Sequence, residues 1–87
     1  MKDMLNLRVK KVAASIRKIR EHRNYTQEYL AAKLKISQNA YSKIELGYTK
    51  ITIDRLFHIA DILEVSSVEL LNGENADPIN ILSVSSA

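Results

Sequence analysis

Gln38, Asn39, Ser42 and Lys43 fall at spacings of one, three and one, so a helix over this segment carries all four on one side. Carboxamides donate and accept, and an ammonium donates in three directions. The chemistry open to such a face is multiple hydrogen bonding to a fixed array of donors and acceptors. The major groove of B-DNA displays such an array. A solvated helix face is the plain alternative for the same four residues. Bond-making chemistry has little to work with. There is no Cys, which removes thiolate nucleophiles, disulfides and thiolate metal sites. No carboxylates pair on one helical face, and His22 and His58 do not suggest a metal site. No enzyme activity, cofactor or metal is expected.

The elements that must position this face are legible from apolar spacing and capping residues. Leu5, Val9, Val12, Ile16 and Ile19 form one stripe, predicting a first helix that begins between Leu5 and Val9 and is ended by Asn24. Thr26 is placed to cap a second helix reaching about Leu34, with Tyr25 and Leu30 as a hydrophobic staple. Ser37 repeats the device with Ile36 and Tyr41, opening a third helix from Gln38 to about Leu46 that stops at Gly47. Only Lys35 to Ser37 link the second and third helices, which forces a sharp corner. A fourth helix follows from Thr52 with Ile53, Leu56, Ile59, Ala60 and Leu63 at helical spacing. Ser66-Ser67-Val68-Glu69 is a capping box for a short fifth helix ending at Asn72-Gly73, stapled by Val65 and Leu70. The reading is all-α: one five-helix domain over residues 1–73 and a C-terminal tail over 74–87.

Charge divides the chain. Residues 1–50 hold twelve Lys/Arg against four acids, a balance of +8, whereas residues 51–87 hold Arg55 against six acids, a balance of −5. A basic end suits a polyanion, and an acidic end faces elsewhere. A basic solvated first helix without a partner accounts for the charge equally well. Met1-Lys2-Asp3-Met4 runs into a basic stretch without an apolar core segment, so no signal peptide is expected. No apolar run approaches a membrane span, which makes the cytoplasm the expected location.

The run Thr26-Gln27-Glu28-Tyr29-Leu30-Ala31, followed by Ser37 through Gly47, resembles the Cro/CI-type (XRE) helix-turn-helix family. Lambdoid phage repressors and restriction–modification controller proteins are the members it resembles. The likeness reaches outward to Ile16–Arg20 and to Leu56, Ile59-Ala60, Leu63, Val65-Ser66 and Leu70–Gly73, covering about residues 9–73. It implies a lambda-repressor-like fold whose third helix reads the major groove of double-stranded DNA. Gln38, Asn39 and Lys43 match base-reading positions, with Ser42 a weaker candidate. Amides suit adenine, and Lys suits the guanine O6/N7 edge. Gln27 and Lys50 match phosphate contacts, which Ser37 and Tyr48 can join. Arg20 and Glu45 match a partly buried structural ion pair between the first and third helices.

The sequence also departs from that pattern. Lys35 stands where the family usually has Gly; a left-handed Lys35 costs about 1 kcal/mol and brings a cation near the DNA backbone. Ile51 stands near the usual Pro. Phe57 and Ile62 fall where polar residues are common, and each can fill core, with Phe57 favoured to meet the tail or a second subunit.

The expected function is sequence-specific transcriptional regulation, as a repressor acting as a homodimer on a two-fold symmetric operator. Half-sites would lie about 34 Å apart. The acidic half is the expected dimer surface, on which Ile79, Ile81, Leu82 and Val84 of the tail either dock or pair with a partner chain, or else the tail is disordered. Two other readings remain: an antitoxin that also holds a toxin through its C-terminal half, and a protein-interaction module that keeps the fold without DNA reading.

Overall fold

Each turn between helices among the described residues is marked by a left-handed residue on one side and a side-chain hydroxyl on the other. The computed structural model describes residues 2–72. It contains α1 (Lys2–His22), α2 (Gln27–Leu34), α3 (Gln38–Glu45), α4 (Ile53–Leu63) and α5 (Ser67–Asn72). No strand occurs among the described residues. Gly73 and the tail residues Ile79, Ile81, Leu82 and Val84 lie outside them.

The hydroxyl of Thr26 accepts the Tyr29 N–H at 3.0 Å, that of Ser37 the Ala40 N–H at 3.0 Å, and that of Thr52 the Arg55 N–H at 3.2 Å. The box at α5 is reciprocal: Ser66 Oγ accepts the Glu69 N–H, and Glu69 Oε1 accepts the Ser66 N–H, both at 3.2 Å. Each cap satisfies a backbone donor that the first turn of a helix leaves unpaired.

The C-terminal ends share a second device. Asn24, Lys35, Gly47 and Glu64 all have φ between 59° and 76°. The residue after each donates its N–H five residues back: Tyr25 to Arg20, Ile36 to Ala31, Tyr48 to Lys43 and Val65 to Ala60. This is the Schellman closure, which pairs orphan carbonyls. Lys35 therefore takes the left-handed conformation expected of it. The same apolar residue that closes the turn also packs: Tyr25, Ile36 and Val65 all lie against the core. That burial offsets a left-handed cost of about 1–2 kcal/mol at each non-glycine position.

Gly47 cannot be replaced so easily. A Cβ there would lie 2.9 Å from Lys10 Cγ and 3.3 Å from Lys10 Cα, so α1 passes directly over the end of α3. Glycine meets two demands here, a positive φ and a close approach of another helix.

Ile16, Leu30, Tyr41, Ile59, Leu63 and Leu70 are fully buried and come from all five helices. Ala31 is also buried and belongs to the same core. Ala13 and Ser15 join the buried set from outside the expected stripe.

Three expectations need correction. The first helix starts at Lys2, ahead of the Leu5–Val9 window. Leu5 continues the apolar stripe yet is 55% exposed, because no element among the described residues covers it. Ile53 sits at the start of α4 on its flank and is 69% exposed. Phe57, one turn later and favoured to lie outside the core, is exposed, whereas Ile62 packs partly against the core.

Candidate nucleic-acid interface

The inner face of α3 is polar and buried. Glu45 receives Arg20 Nε on Oε2 at 2.6 Å and Arg20 Nη2 on Oε1 at 3.1 Å. The Tyr41 hydroxyl donates to Oε2 at 2.5 Å, and Gln27 Nε2 donates to Oε1 at 3.1 Å. Arg20 Nη1 donates to the Tyr25 carbonyl at 2.8 Å. Four donors thus occupy both carboxylate oxygens, and no buried side-chain polar atom among the described residues lacks a partner. The hydrogen bond to Glu45 holds the Arg20 guanidinium above its ordinary range. Burial, with the bond to Glu45 second, pushes the Tyr41 phenol well above its ordinary value.

This network ties α1, α2 and α3 together at one point. Its geometry is the bidentate fork that makes Arg suited to carboxylate pairing. The ion pair expected between Arg20 and Glu45 is present. Two members went unforeseen as such. The sequence offers Tyr41 only as the staple partner of Ile36, and Gln27 only as a phosphate contact. Gln27 is half-buried with one amide hydrogen committed to Glu45, which leaves the other hydrogen and the carbonyl oxygen available.

The outer face is the reverse. Gln38, Asn39 and Lys43 are exposed, Ser42 is half-buried, and none of the four side chains hydrogen-bonds to another described residue. Ala40 is exposed between them, a methyl group on an otherwise polar surface. Apolar groups of this size suit a thymine methyl.

Beside this face lies an open groove of about 410 Å³ between α3 and the start of α4, lined among others by Ser37, Asn39, Ala40, Lys43, Lys50 and Arg55. Three cations line it, and among the described residues no carboxylate does. The hydroxyl oxygen of Ser37 accepts within its own turn, so its hydrogen remains free to donate. Tyr48 is 74% exposed at the end of α3, and Lys35 is exposed at the corner. The fold thus groups Ser37, Asn39, Lys43 and Lys50 around one groove. Gln27 stands apart from it, bound to Glu45.

His22 and His58 are both exposed, and no group of potential metal ligands occurs among the described residues. No helix among them is long and apolar enough to cross a membrane.

A short capped helix held across a second by a three-residue corner, its inner face locked and its outer face free, defines a helix-turn-helix unit. The chain belongs to the helix-turn-helix family, whose model matches residues 16–70. It is similar to the uncharacterized HTH-type transcriptional regulator YqaE of Bacillus subtilis (strain 168), with 35% identity over 65 residues. That alignment covers 75% of this chain and 56% of the relative, so the chain spans little more than half of that protein's length. No solved structure matches the chain.

Proposed function

We propose that the protein is a sequence-specific DNA-binding transcriptional regulator, a binding protein rather than an enzyme, that represses from a two-fold symmetric operator as a homodimer. The observation that carries this reading is the outer face of α3: Gln38, Asn39 and Lys43 are exposed with their hydrogen-bonding groups uncommitted, on a helix immobilised from behind by Glu45. Amides and ammonium fit adenine and guanine edges, and the N-terminal residues of such a helix are those that reach bases. Ser42 sits deeper and contributes less. Ser37, Lys35, Tyr48 and Lys50 serve the backbone on either side, with Gln27 joining through its free amide groups. The family membership and the likeness to an HTH-type transcriptional regulator support the same class.

The homodimer is supported by what α4 and α5 leave uncovered. Ile53, Phe57, Val68 and Leu71 are each more than half exposed, on the half of the chain that carries the acidic balance. An acidic surface is repelled by DNA and free for a second subunit. Two copies would then place two recognition helices on half-sites about 34 Å apart.

The test is selection from random duplexes by wild type and by the Gln38/Asn39/Lys43→Ala triple variant. Wild type is expected to enrich a two-fold symmetric site that the variant does not. Enrichment of nothing by either protein, with binding that only fades with salt, overturns the reading.

A further inference from the structure

Arg55 is the one cation in the acidic stretch 51–87, and the fold removes it from that company. It sits in the first turn of α4, where the Thr52 cap holds its backbone. Its side chain lines the groove with Lys43 and Lys50. Arg55 is half-buried, and no carboxylate pairs with any of these three cations among the described residues. Asp54, its neighbour in sequence, is exposed and is not part of the groove wall. Three like charges brought together without a counter-charge are unfavourable until an anion arrives.

We infer that this groove seats backbone phosphates of one DNA strand, with Arg55 as a phosphate-contacting residue outside the two-helix motif. The inference rests on the DNA-binding reading above and extends it to a third helix. The groove is continuous with Asn39 and Lys43 of the recognition face. A strand whose bases are read by that face carries its phosphates alongside, and a guanidinium matches two phosphate oxygens at once. Arg55 thereby fixes register and carries no base preference of its own.

The experiment uses the full chain, a duplex carrying the selected site and a scrambled duplex, and measures affinity across a salt series. Arg55→Ala is expected to weaken both duplexes by a similar factor, about tenfold, and to lower the salt slope by about 0.9 for each Arg55 removed. Arg55→Lys is expected to keep the slope, and melting of both variants shows that the fold is retained. A scan of the selected site with single neutral methylphosphonates locates the contact. At one phosphate, neutralisation weakens wild type but not Arg55→Ala. If wild type binds the selected site while Arg55→Ala matches it in affinity, slope and scan, the inference is overturned and the DNA-binding reading stands. If wild type binds no duplex, both fall together.

Discussion

The two faces of α3 are built from similar chemistry and put to opposite uses. Tyr41 and Glu45 on the inner face carry polar atoms into the core and pair all of them within the protein. Gln38, Asn39 and Lys43 on the outer face pair none of theirs with a described residue. A buried carboxylate is tolerable only when fully hydrogen-bonded, so the inner set is fixed in one arrangement. The outer set stays solvated and available. An eight-residue helix is marginal by itself, which is why the inner network must hold it.

Removing one inner partner should have the largest effect. Arg20→Ala strands Glu45 in the core and is expected to lower stability by about 3–5 kcal/mol. A thermal melt measures it, and an unchanged melting temperature would break the comparison at its centre. Tyr41→Phe is expected to cost about 1.5–3 kcal/mol at neutral pH by removing a donor to a charged acceptor. It also has a pH signature. The Tyr41 phenol is raised above its ordinary value of 10.0, so the native fold retains a proton that the unfolded chain releases. Stability from this group is therefore present below about pH 10 and lost as pH rises beyond it. The phenylalanine variant lacks that loss, and the gap between the two denaturant midpoints should narrow above pH 10.

Gly47→Ala comes next, with an expected loss of about 1–2 kcal/mol from the left-handed backbone, plus the shift that Lys10 must make. Lys35→Gly, before the other end of α3, should gain up to about 1 kcal/mol, and equilibrium unfolding of the two variants tests the pair. The smallest effect belongs to the outer face. The Gln38/Asn39/Lys43→Ala variant is expected to stay within about 0.5 kcal/mol of wild type per substitution. A large loss there would mean that the outer face also serves stability.

Much of this arrangement can be read without coordinates because its signals are local. Thr26, Ser37, Thr52 and the Ser66–Glu69 box act on N–H groups three residues away, and each does so in the fold. The left-handed Lys35 and the Arg20–Glu45 pair were legible from the resemblance to a family, not from spacing. The candidate site was half legible. Asn39 and Lys43 could be placed on an outer face, but nothing in the order of residues brings Arg55 beside them. Its position within an acidic stretch points the other way.

By itself the sequence determined the helices, their caps, the corner and the polar composition of the third helix, since each depends on residues within about one turn of one another. The tertiary structure alone decided which apolar residues are covered. Leu5, Ile53 and Phe57 sit among helical apolar residues and remain exposed, while Ala13 and Ser15 are buried. It also decided that Tyr41 and Gln27 meet at Glu45, and that Arg55 lines one groove with Lys43 and Lys50. Burial and charge clustering depend on which distant element lies opposite a side chain, and that is settled only when all five helices pack at once.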